Sequence, residues 1–118
     1  VMRRFDAEIF TSLVDRFNVT EIAVVPTMVA SIVNQRTSPL VLKTLRRIWC
    51  AGSSLSPILS DAMYDILHED ACISQVWGMT EFGRITSTPW ERGTMDGSVG
   101  ELMPNTEARY WNPQEKQD

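Results

Sequence analysis

Two short segments carry residues able to do chemistry together: Gly52-Ser53-Ser54 and Trp77-Gly78-Met79-Thr80-Glu81. Glycine lets backbone approach a ligand closely, and the hydroxyls of Ser53, Ser54 and Thr80 donate to phosphate or ribose oxygens. The Trp77 ring offers a flat face to an aromatic group. Glu81 supplies a hard carboxylate, suited to a magnesium ion that also holds phosphate oxygens. Together these groups suggest a nucleotide site. Each also has a plainer reading: Gly-Ser-Ser as a turn capping a helix, Thr-Glu as a helix start, and Trp as core. On residue types alone both readings stand.

The elements around these segments argue that they share one edge of a sheet. Phe5, Ile9, Leu13 and Phe17 recur at helical spacing, widened by Phe10 and Val14, with Asp6 placed as N-cap and Glu8 in the first turn. Residues 20–25 read as a short buried strand stopped by Pro26, which suits the first turn of a helix running to about Val33. A polar loop over 34–39 and a short helix over 40–45 follow. Residues 47–51 form a second strand, ended by Gly52. Ser56-Pro57 opens a helix with apolar rows Ile58, Ala62, Ile66 and Leu59, Met63, Leu67. Residues 71–77 form a third strand, ended by Gly78. Beyond Glu81 the pattern breaks into short β pieces near 85–87, 98–99 and 108–110.

Strands alternating with helices predict an α/β fold, a parallel sheet flanked by helices, with short β pieces in the last third. The apolar run at 22–25 fits a sheet covered on both faces. The expected division is an α/β portion over about 1–83 and the start of a β-rich portion over about 84–118. In such sheets ligands bind beyond the carboxyl ends of the strands. Residues 52–54 and 77–81 lie at two such ends.

Composition excludes several classes. The 118 residues are 43% hydrophobic and 22% charged, ordinary for a globular domain. A net charge of -4 argues against nucleic acid or a polybasic membrane surface as partner, and the Arg3-Arg4 and Arg46-Arg47 pairs read as solvated element ends. Cys50 and Cys72 sit in apolar runs as small core residues, and with His68 as the one histidine a soft-ligand metal cluster is not expected. No apolar run approaches the roughly 20 residues that span a membrane, and no signal peptide opens the chain. This favours an intracellular protein, cytoplasmic or peroxisomal. The start at Val1 and the polar end Glu115-Lys116-Gln117-Asp118 fit an internal fragment.

Residues 75–81, Gln-Val-Trp-Gly-Met-Thr-Glu, resemble the signature of adenylate-forming (AMP-binding) enzymes, commonly Tyr-Gly-Met-Thr-Glu, with Trp77 in place of Tyr. Its neighbours agree in order and spacing. Residues 49–56 are similar to the family's Gly-Ala-Pro-Leu segment, and residues 19–26 to its Val-Thr … Val-Pro-Pro stretch. Residues 97–109 resemble Gly-Ser-Val-Gly-x-Leu-x-Pro-x-x-Glu-Ala-Arg. The resemblance covers nearly the whole chain and is nearest to acyl-CoA synthetases of the 4-coumarate–CoA ligase type. Departures are Ser54 for Pro, Thr27 for a second Pro, and Val76 for a frequent Gly, which narrows the acyl side of the pocket.

That resemblance implies an ATP-dependent ligase that adenylates a carboxylic acid and passes the acyl group to coenzyme A. It implies that Gly52 and Ser53 meet adenine through backbone groups, that Ser54 belongs to the same nucleotide-binding segment, and that Trp77 stacks near adenine. Gly78 and Met79 wall the acyl pocket, Thr80 hydrogen-bonds the α-phosphate, and Glu81 ligates Mg2+, so that Thr80 and Glu81 act catalytically. Residues 25–27 lie near the carboxylate substrate. The family's phosphate-cradling loop would precede Val1, and its ribose-binding Asp and the domain bearing the catalytic Lys would follow Asp118. A chain of this extent is therefore expected to be inactive alone. Two other readings are a truncated product without catalysis, exposing apolar surface, and an adenylation domain of a peptide synthetase with a carrier-protein thiol as acceptor.

Overall fold

A computed structural model describes residues 2–35, 42–93 and 97–112. Three helices and five strands follow one another among them: α1 (Ala7–Arg16), β1 (Glu21–Val24), α2 (Pro26–Asn34), β2 (Arg47–Cys50), α3 (Pro57–Tyr64), β3 (Cys72–Met79), β4 (Gly83–Ser87) and β5 (Glu101–Leu102). The strands form one sheet in the order β1-β2-β3-β4-β5. Its first two pairings are parallel and its last two antiparallel. The sheet is thus mixed: its first three strands are parallel, and the β pieces of the last third join it as antiparallel strands.

Local signals set the helix starts. The Asp6 carboxylate accepts from the Ile9 amide at 2.9 Å, and the Ser56 hydroxyl accepts from the Leu59 amide at 3.3 Å. Pro26 and Pro57 open α2 and α3, where a missing N–H leaves no bond unmade. α1 turns Ala7, Thr11 and Val14 inward and leaves Ile9 and, at its C-cap, Phe17 exposed, Phe17 by 64%. α3 ends at Tyr64, before Ile66 and Leu67. There the Arg92 guanidinium stacks on the Tyr64 ring and donates to the carbonyls of Tyr64, His68 and Glu69, while the Tyr64 hydroxyl accepts from the Ile73 amide. Leu67 pairs with Leu42 in an isolated parallel bridge, so residues 42–45 form a turn and not the expected helix. Leu40 and Val41 lie outside the described residues.

The strand register fixes the faces. Ile22, Ile48 and Ile73 sit side by side across the sheet, as do Val24, Cys50 and Gln75. These alternate residues face the helices and are buried or partly buried with Val29, Ile32, Leu55 and Met63. The sheet order steps one way through β1, β2 and β3, and crossovers of one hand place α2 and α3 on the same side, where they pack together. The opposite face carries Glu21, Ala23, Arg47 and Trp49, with Ala23 exposed. Coverage of both faces is therefore not met within these residues. On that second face Trp49 donates its Nε1–H to Glu21 at 2.6 Å and meets Trp90 edge-on at 4.4 Å. Arg84 lies over Trp49 and Arg47 over Trp90. Among the described residues no helix is long and apolar enough to cross a membrane.

Candidate nucleotide site at the strand ends

The first wall of the site is the turn after β2. Gly52 adopts φ +92°, a left-handed conformation that calls for glycine, and a Cβ there would press on Val25 Cγ1 at 3.3 Å. The turn is fixed at each end. Ala51 donates to the Val24 carbonyl at 3.1 Å, and the fully buried Leu55 anchors the other side. Gly52, Ser53 and Ser54 remain exposed between these anchors.

The second wall is the carboxyl end of β3. Contrary to the expectation from its residue type, Gly78 does not end the strand. β3 runs on through Met79 because it finds a partner in β4, with a bulge between Trp77 and Gly78. The close pairing is what demands glycine at 78: a Cβ would stand 2.3 Å from the Gly83 carbonyl oxygen. Residues 80–82 then form the hairpin turn, closed by the Phe82 amide donating to the Met79 carbonyl at 3.2 Å. The later β pieces shift as well. Residues 98–99 and 108–110 are not strand, and the pairing falls on Glu101–Leu102.

A cavity of about 190 Å³ opens between these walls. Gly52, Ser53 and Ser54 line one side, Gln75, Val76, Trp77 and Gly78 the other, and Val99 adds a third edge. Six residues singled out in the sequence therefore meet: Gly52, Ser53, Ser54, Val76, Trp77 and Gly78. Trp77 is 44% exposed, so its ring is a wall and not core. Met79 turns away, into an apolar hollow of about 200 Å³ with Phe82, Ile85 and residues 106–109, which Trp77 also lines. Thr80 and Glu81 stand exposed on the hairpin turn and line neither cavity.

Gln75 and Val99 were not singled out by sequence reasoning as parts of the site. Gln75 is 1% exposed and carries polar bonds to both sides of the cavity; its only sequence signal is an amide in the middle of a buried strand. Cys50, beneath the first wall, has its thiol pushed up to about 11 by burial, which makes it a packing residue rather than a nucleophile.

The donor chemistry fits a nucleotide with magnesium. An aromatic ring, exposed backbone beside glycines and two serine hydroxyls suit a nucleoside. One exposed carboxylate suits an ion that takes most of its oxygens from phosphates and water. Among the described residues no group of three His, Cys, Asp or Glu side chains forms a metal cage of its own.

Comparison with known proteins bears on the same residues. The family model described as AMP-binding enzyme matches residues 1–118. The chain is 40% identical over 112 residues to a nicotinic acid–CoA ligase of Penicillium canescens, covering 92% of this chain and 20% of that protein. It is 34% identical over 116 residues to an acyl-CoA ligase of Aspergillus niger, covering 95% and 22%. The chain thus spans about one fifth of the length of these relatives. Among solved structures, O-succinylbenzoate coenzyme A synthetase from Bacillus subtilis, in complex with ATP and magnesium ion, superposes with a TM-score of 0.75. That match is 22% identical and covers 99% of this chain and 24% of that one. At that identity the likeness speaks for the fold.

Proposed function

The chain belongs to the AMP-binding enzyme family, and on that premise we propose that it forms the adenine-side walls of the nucleotide site of an ATP-dependent acid–CoA ligase. The reaction joins a carboxylate oxygen to the α-phosphorus of ATP and releases pyrophosphate. The thiol of coenzyme A then takes the acyl group, and AMP leaves. The observation that carries this reading is the convergence of Gly52-Ser53-Ser54 and Trp77-Gly78 on one cavity. Its support from relatives is that two of them, at 40% and 34% identity, are named as CoA ligases. Those names favour coenzyme A over a carrier-protein thiol as acceptor.

In this reading the backbone of residues 52–54 meets adenine, and the Trp77 ring stacks against it. Gly78 and Met79 border the acyl side, and residues 25–27 lie toward the carboxylate. Thr80 donates its hydroxyl to the α-phosphate. Glu81 would hold a magnesium ion, which would supply charge neutralisation to the phosphates. The protein's contribution is positioning and charge stabilisation.

The test is pyrophosphate exchange into ATP by the full-length ligase, offered a panel of aromatic and aliphatic acids. Acid-dependent exchange is expected from that protein, and none from residues 1–118 alone. A full-length protein that exchanges pyrophosphate with no acid on the panel overturns the reading.

A further inference from the structure

Gln75 is the most completely bonded side chain at the cavity. It lies on the helix-facing side of β3, 1% exposed. Its Oε1 accepts from the Leu55 amide at 2.8 Å, at the end of the 52–54 turn. Its Nε2 donates to the Ser98 carbonyl at 3.1 Å, beside Val99 on the cavity's third edge. The orientation of the amide is fixed by these partners, because a flip would set donor against donor and acceptor against acceptor. Its backbone is held equally: the amide donates to Thr88 Oγ1 at 2.8 Å and the carbonyl accepts from the Thr88 amide at 2.9 Å.

The two segments it joins have few other ties to β3. Residues 52–54 are exposed, and φ +92° at Gly52 leaves their course to the anchors on either side. Residues 97–100 reach the sheet through Thr86, whose hydroxyl donates to the Val99 carbonyl at 2.6 Å, through Gly100, which packs against the Ser87–Thr88 backbone, and through Gln75. One buried amide therefore bonds directly to both of these walls of the cavity.

We propose that Gln75 is a positioning residue for ATP: through Leu55 and Ser98 it holds the 52–54 turn and residues 98–99 at the separation that admits the adenine. The inference rests on the ligase reading, and it predicts a particular pattern of change. A turn that only grips the nucleotide stabilises ground and transition states alike, so loosening it raises KM for ATP and leaves kcat in place.

The experiment compares Gln75→Met and Gln75→Glu with the native full-length ligase, well below the melting temperature of each. Gln75→Met keeps the volume and loses both bonds. It should raise KM for ATP about tenfold or more, with kcat and KM for the acid within about twofold of native. Gln75→Glu separates bonding from packing. Protonated, it presents one accepting oxygen and one O–H and can rebuild both bonds. Ionised, it sets an oxygen against the Ser98 carbonyl. Its KM for ATP should fall toward the native value as pH drops from about 8 to about 6, the range into which burial moves a carboxyl.

Hydrogen exchange at the Leu55 amide, in the same full-length proteins, gives a readout independent of catalysis: protection in the native protein and loss of it in Gln75→Met. Unchanged Leu55 protection in Gln75→Met, or a KM for ATP within about twofold of native, overturns the inference. Absence of pyrophosphate exchange in the native protein overturns the ligase reading instead, and Leu55 protection still decides whether Gln75 holds the turn.

Discussion

The helix-backed strand ends and the β3–β4 hairpin hold their proposed site residues by opposite means. On the helix-backed side, residues 52–54 are exposed, but they hang between β2 and a fully buried Leu55, with Gln75 bonded to the Leu55 amide. Their positions are set by the core. On the hairpin side, Thr80 and Glu81 project from an exposed turn whose own backbone bond is Phe82 to Met79. One half of the proposed site is preformed, while the other stands on an exposed turn. The division matches the proposed ligands: a flat apolar base needs a shaped cleft, whereas a magnesium ion with phosphates is held through hard oxygens around it.

Four substitutions or conditions break or sharpen this contrast, from the largest effect to the smallest. Leu55→Ala removes the anchor of the preformed half and should cost about 2–5 kcal/mol, read by chemical denaturation. Glu81→Gln should leave stability within about 0.5 kcal/mol, as for an exposed side chain. Yet it should lower acid-dependent pyrophosphate exchange about 100-fold, which is about 2.7 kcal/mol of barrier. A stability loss in Glu81→Gln as large as in Leu55→Ala would erase the distinction between the halves.

Gly78→Ala sits where the halves join. Its Cβ would fall 2.3 Å from the Gly83 carbonyl oxygen, so the bulged pairing must shift. The expected cost is about 1–3 kcal/mol in denaturation, together with weaker exchange activity, since Trp77 and Thr80 move with the strand. The smallest effect is a pH dependence. Burial holds the Cys50 thiol protonated in the folded chain up to about 11, while the unfolded thiol ionises near 9.0. The stabilisation is complete below pH 9 and declines as pH rises toward 11. Thermal melts across that window should show a fall in midpoint that is shallower in Cys50→Ala. Tyr64, also raised by burial, adds to the fall above its ordinary value of 10.0 in both proteins.

What could be read in the sequence follows the range of the forces involved. Asp6 and Ser56-Pro57 act within three residues, and the helices begin where those signals place them. The turn at Gly52 likewise announces itself locally. Pairing across the sheet does not. Gly78 reads as a strand end, yet the strand continues because β4 lies beside it. Ile66 and Leu67 continue the helical spacing, yet α3 stops at Tyr64, where Arg92, 28 residues on in sequence, donates to the Tyr64 carbonyl. Of the site, the glycine and hydroxyl segments were legible because their chemistry lies in their residue types. Gln75 was not, because its side-chain partners stand 20 and 23 residues away.

The convergence of residues 52–54 and Trp77 on one base is tested most directly by photolabelling. The full-length protein, with magnesium and an azido-adenine analogue of ATP, is irradiated and digested, and the adducts are mapped by mass spectrometry. Adducts on Gly52, Ser53, Ser54 or Trp77, suppressed by excess ATP, are expected. ATP-suppressible adducts confined to other segments would contradict a base held between these two walls.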